Sequence, residues 1–177
     1  MDLLDFDAQA LYFDDELPAA VGELIERAAD AYGETQAEHL LLRAYFHEPE
    51  HLTVLVALYR YFYYQHRYED AFLVAERAMA SAAQRLELRC DWRQLRMQSL
   101  GGCVLRSMTL TRFYLMALKG SGYLKLRMGD TQEGLERLEK VEELDSDDRM
   151  NVRSLVRLAR DELRRRELSK HPNVVSL

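Results

Sequence analysis

The chain is 177 residues long, 48% hydrophobic and 31% charged, with a formal net charge of −6, enough for one domain with a substantial core. Eight glycines and three prolines are too few for a β-rich or low-complexity chain, and abundant Leu, Ala, Arg and Glu make helix the default. Two cysteines exclude a disulfide framework and fit a reducing, cytoplasmic setting, while the acidic balance disfavours nucleic-acid binding, which needs a positive surface.

Residues 1–17 read as an acidic, flexible N-terminal segment. It has no positive n-region of the kind that opens a secretory signal. No run of about eighteen apolar residues occurs anywhere, so no membrane span is expected. The segment alternates Leu3, Leu4, Phe6, Leu11, Tyr12 and Phe13 with Asp2, Asp5, Asp7, Asp14, Asp15 and Glu16, a pattern typical of segments that order on binding. Docking on a partner, docking on this protein's own basic middle, and packing as a first helix all remain open. The paired carboxylates Asp14 and Asp15 suggest no acid–base site in such a setting.

From residue 18 to 170 the pattern is that of a single helical domain, with helices expected first at 18–31 and 35–47. "HEPEH", His47 to His51, has the letters of the zinc-protease signature H-E-x-x-H. That chemistry needs both imidazoles on one face of a continuous helix, and Pro49 between them would break it. No metal site is therefore expected. The next helix, 51–65, carries "YRYFYYQHRY", with six aromatic rings in residues 59–68. A buried phenol needs a hydrogen-bond partner, so these rings cannot all be core.

A repeat sorts them. "AEHLLLRA" from Ala37 and "AFLVAERA" from Ala71 stand 34 residues apart, and Ala44 and Ala78 keep the offset. This segment resembles tetratricopeptide repeats, helix–turn–helix units of that period. The resemblance implies that Ala37, Ala44, Ala71 and Ala78 are the small positions of second helices, and that Pro49 ends one such helix. It places Leu55, Leu58, Tyr59 and Phe62 in the packing seam and points Tyr61 at a neighbouring repeat. It puts Val56, Arg60, Tyr63 and Tyr64 on the concave side, where such repeats hold a partner. Tyr and Arg suit that role, joining large contact area to fixed donors. The plainer reading of Tyr63 and Tyr64 is that they cover a seam between repeats.

After a helix at 69–89 the pattern becomes irregular. Residues 91–98 are ambiguous, with Trp92 expected as a core anchor, and "SLGGC" (99–103) is expected to break the helix. Helices follow at 103–127, 131–144 and 147–168. "GSG" at 120–122 lacks the strand and the Lys-Ser/Thr of a phosphate loop and suits a close helix crossing instead. "GDTQEGLERLEKVEELDSDD" resembles a third repeat, with Gly134 where the family has Ala. The last helix is expected to cap the array, with Met150, Leu155, Leu158 and Ala159 facing inward, and residues 171–177 form a tail. Cys90 and Cys103 lack metal-type spacing and read as inert thiols. Residues 92–129 hold seven Lys or Arg and no acid, which suits either an acidic partner or a solvated face.

The expected fold is all-α, a short right-handed α-solenoid of about three tetratricopeptide-like helix pairs with a C-terminal capping helix. The expected function is a non-catalytic adaptor or chaperone-like factor that binds another protein, without cofactor, nucleic acid or membrane, and with self-association open. The whole chain resembles the small tetratricopeptide-like accessory proteins of bacterial nitrogen fixation, the nitrogenase-associated factor T family in particular. That resemblance implies binding to the nitrogenase molybdenum–iron protein during cofactor assembly, repair or protection. The alternative is a chaperone resembling class II of type III secretion, which would hold an extended client segment.

Overall fold

The computed structural model describes residues 16–170. Within them the chain forms eight α-helices and no strand: α1 (Ala19–Asp30), α2 (Thr35–His47), α3 (Leu52–Tyr64), α4 (Tyr68–Arg85), α5 (Met97–Arg106), α6 (Met108–Arg127), α7 (Thr131–Leu144) and α8 (Arg153–Lys170). A single 3-10 turn, Trp92–Gln94, lies between α4 and α5. The acidic N-terminal segment lies outside the described residues except for Glu16 and Leu17, and the tail 171–177 lies outside them entirely. No helix among the described residues is long and apolar enough to cross a membrane.

Packing follows chain order. Helix α1 lies on α2, α2 on α3, and α3 on α4; α4 then meets α6, α6 meets α7, and α7 meets α8. The short α5 docks on α6. Ala37, Ala44, Ala71 and Ala78 are all completely buried, on the inward faces of α2 and α4. Leu55, Leu58, Tyr59 and Phe62 are buried as well, the i, i+3, i+4, i+7 stripe that the sequence implies for α3. The Tyr59 hydroxyl lies against Gly120 of α6, where an added Cβ would stand 3.1 Å from it.

Three helices stop in the same way. After α3, α4 and α6 the chain turns through left-handed residues His66, Glu87 and Gly129. Each turn is closed by paired backbone bonds, as from Arg67 N–H to the Phe62 carbonyl and from His66 N–H to the Tyr63 carbonyl. This arrangement satisfies carbonyls that a helix end leaves without partners.

Two elements differ from the sequence reading. "SLGGC" does not break a helix, because α5 runs through Gly101 and Gly102. Leu100 and Cys103 are buried on its inner face and hold the helix against the roughly 1 kcal/mol that each interior glycine costs. The break falls at Ser107 instead, whose hydroxyl accepts a hydrogen bond from Leu110 N–H and caps α6. Helix α8 begins at Arg153, not 147. Residues 145–152 form a turn in which the Asp145 and Asp148 carboxylates accept from the Met150 and Val152 amides at 2.6 and 2.7 Å. The later start changes which residues face inward: Met150, Val152, Val156 and Ala159 are buried, whereas Leu158 is 59% exposed.

Candidate functional site

Two helical stripes face each other across an open apolar groove of about 340 Å³. Ile25, Ala28, Ala29 and Tyr32 form one wall, spaced i, i+3, i+4, i+7 along α1 and the turn that follows. Thr53, Val56, Ala57, Arg60, Tyr61 and Tyr64 continue the same spacing along α3, with Leu41 of α2 between the walls. Val56 and Tyr61 are buried and belong to the floor. Tyr32 and Tyr64, each 54% exposed, stand at the rim. The Tyr32 ring meets Tyr61 edge-on at 6.4 Å, and Arg60 is half-buried among these rings.

Val56, Arg60 and Tyr64 thus come together, and Tyr63 does not line the groove with them. One residue advances a helix by about 100°, which turns Tyr63 toward α4 and α6. Its ring stacks on Tyr59 at 6.1 Å, packs against Tyr68 and Tyr123 at 6.0 and 6.3 Å, and meets the rim ring of Tyr64 edge-on at 5.5 Å. Arg127 lies 4.5 Å over Tyr68 and donates to the hydroxyls of Tyr68 and Tyr123. The aromatic run therefore divides into core, groove and a ring cluster that touches the groove rim through Tyr64.

Where charges concentrate, they do so on the other helices, and sequence reasoning missed the main cluster. Arg137 of α7 is buried. It donates to Glu76 of α4 at 2.6 Å, to Ser121 of α6 at 2.8 Å and to Glu133 of its own helix at 2.9 Å. Its guanidinium lies 4.9 Å from the Phe72 ring and 5.0 Å from Trp92. Burial would raise the Glu133 carboxyl, but hydrogen bonds from Lys125 and Arg137 outweigh it and hold its pKa at about 2. Burial likewise disfavours the Arg137 charge, and Glu76 and Glu133 more than offset it. The available signal was the i, i+4 pair Glu133–Arg137 beside the apolar stripe of α7.

The basic middle of the chain is turned largely toward the protein's own acids. Arg93 faces Asp91, Glu133 and Glu136, Arg96 faces Glu143, Arg106 faces Glu87, and Lys125 faces Asp130 and Glu133. Lys119 is buried and donates to the Met150 carbonyl. The histidines of "HEPEH" fall on different helices: His47 ends α2, and His51 caps α3 by accepting from Thr53 N–H at 3.2 Å. Among the described residues no three His, Cys, Asp or Glu side chains are grouped to hold a metal ion.

An uncharacterized 19.8 kDa protein in the nifW 5′ region of Azotobacter chroococcum mcd 1 is 46% identical to this chain over 156 residues. The match takes in 88% of this chain and 87% of that protein. The chain belongs to its family. A match of this extent reaches well beyond the groove, so the family shares most of the helical array and not one grafted segment. No protein-family model matches the sequence, and no solved structure matches it.

Proposed function

We propose that this protein is a non-catalytic interaction factor of nitrogen fixation, built as a short α-solenoid of tetratricopeptide-like helix pairs, whose α1–α3 groove holds a segment of a client protein. The observation that carries the reading is the groove itself. Its walls are aliphatic and aromatic side chains at helical spacing, with one half-buried guanidinium, and two tyrosines stand at the rim. Such a surface receives an apolar helix or strand, with Tyr and Arg as anchors. The totally buried alanines at a 34-residue offset support the repeat architecture.

The nitrogen-fixation setting is supported by the Azotobacter relative, which lies in a nif region, and by the overall resemblance of the chain to nitrogenase accessory factors. The client we assign is the nitrogenase molybdenum–iron protein, in a state where its cofactor is being assembled, repaired or protected. The protein would recognise that state and supply neither a metal ligand nor a catalytic group. Affinity purification of the tagged protein from its native cell, grown under nitrogen-fixing conditions, tests this. Recovery of molybdenum–iron protein subunits by mass spectrometry is the expected result; their absence, with other proteins bound in stoichiometric amount, would overturn the client assignment.

A further inference from the structure

Cys90 and Cys103 are the chain's two cysteines, and both line one open cavity of about 400 Å³. Both carry free thiols. One wall of the cavity is α5, through Ser99, Gly102, Cys103 and Arg106. The other is the segment that leaves α4, from Leu86 to Cys90, entered through left-handed Glu87. Arg106 already joins the two walls, donating to the Leu86 carbonyl at 2.8 Å and pairing with Glu87 at 2.8 Å. Cys103 sits one turn before Arg106 on the same face of α5. A Cβ added at Gly101 or Gly102 would meet nothing within 4 Å, so no side chain from α5 blocks this side of the cavity mouth.

We propose that Cys90 and Cys103 form a reversible dithiol–disulfide site that exchanges with low-molecular-weight disulfides. The cavity gives the reagent access, and the two thiols differ in the way that exchange needs. Cys90 is half-buried and Cys103 is 4% exposed. Cys90, as thiolate, attacks one sulfur of the small disulfide; that S–S bond breaks and one small thiolate leaves. Burial pushes the Cys103 thiol up, with Arg106 opposing and the Cys90 charge adding to the rise, so Cys103 stays protonated until this second step. It then gives its proton to solvent and attacks the Cys90 sulfur, expelling the second small thiol. The cysteines lose two electrons and two protons, and the small disulfide gains them. The resulting bond ties α5 to the end of α4, and excess small thiol reverses it. The site shares no residue with the groove, so it stands or falls independently of the client assignment.

The test equilibrates the full chain in glutathione buffers of increasing oxidised fraction, quenches with acid, alkylates free thiols and reads intact mass. The expected product is a monomer about 2 Da lighter than the reduced chain, with no free thiol and no adduct, and fully restored by reduced glutathione. Cys103→Ser should instead accumulate one glutathione adduct at Cys90, and Cys90→Ser should remain unmodified. Should Cys103→Ser fail to fold, as read by circular dichroism, the wild-type and Cys90→Ser results still decide. Two alkylatable thiols across the whole range, adducts on both cysteines without an internal bond, or chains crosslinked to one another would each overturn the proposal.

Discussion

Gly134 of α7 lies so close to Gly122 of α6 that a Cβ added at Gly134 would stand 2.9 Å from the Gly122 carbonyl oxygen and 2.6 Å from a Leu126 methyl. The reverse holds too: a Cβ at Gly122 would meet the Arg137 and Leu138 side chains at 3.1 Å. The contact sets the α6–α7 distance, and it lets Arg137 reach both Ser121 and Glu76. In most solvent-facing helices Gly→Ala gains about 1 kcal/mol from helix propensity. Here Gly134→Ala should lose about 1–3 kcal/mol, because a backbone oxygen cannot move aside as a side chain can. Urea unfolding measures it; a stabilised Gly134→Ala would show that the helices are free to separate.

Removing the buried guanidinium should be costly. Arg137→Met keeps much of the volume but leaves Glu76 and Glu133 without it, and the expected loss is about 2–4 kcal/mol. Glu76 is 37% exposed, which lets water take over part of its solvation and keeps the loss below that of a fully enclosed pair. Glu76→Gln should cost less, since Glu133 still faces Arg137. Denaturant titrations of both variants give the comparison, and equal stability of Arg137→Met and wild type would contradict it.

The Glu133 carboxyl makes stability fall in acid. Its folded pKa, about 2, lies below the ordinary 4.5. The unfolded chain therefore binds the proton more readily, and stability rises with pH across that interval. The contribution is complete above about pH 4.5 and is lost as pH falls toward 2, with a size on the order of 2 kcal/mol. Glu133→Gln should be less stable at pH 7 and should show a flatter decline between pH 4.5 and 2. Parallel slopes for variant and wild type over that window would assign the acid sensitivity elsewhere.

The rings at the groove and the rings in the cluster should behave differently. Tyr32 and Tyr64 are half exposed, so Tyr32→Ala with Tyr64→Ala should leave the melting temperature within about 2–4 °C of wild type while weakening client binding at least tenfold. Tyr63→Ala removes a ring packed against four others and should cost about 1–2 kcal/mol of stability. Thermal melts separate the two; a large loss on the rim pair would make those tyrosines structural.

The helices that the 34-residue offset reaches were legible in sequence because small residues on an inward face leave a periodic mark. Ala37, Ala44, Ala71 and Ala78 give the positions of α2 and α4 and, through them, the inward stripe of α3. Where no repeat applied, local chemistry decided, and the signals were quieter. Gly101 and Gly102 suggested a break, yet they face open space and the helix tolerates them, while the capping hydroxyl of Ser107 marked the true boundary. The aspartates of "DSDD" bind amides of the following turn and delay α8, which leaves Leu158 outside. The groove was half legible: the repeat resemblance grouped Val56, Arg60, Tyr63 and Tyr64, of which all but Tyr63 line it, but the opposing wall from α1 depends on tertiary packing. The Arg137 cluster joins residues 61 positions apart, Glu76 and Arg137, which no local pattern announces.

The groove's occupancy can be read in the cell. A photo-crosslinking amino acid placed at Tyr64, on the rim, and at Leu105, an 89% exposed position on α5, would be activated during nitrogen-fixing growth. The expected result is a crosslink from position 64, and not from 105, to one segment of a molybdenum–iron protein subunit, identified by mass spectrometry of the joined peptides. Equal, scattered crosslinks from both positions, or none from position 64 to a nitrogenase subunit, would contradict the groove as the client site.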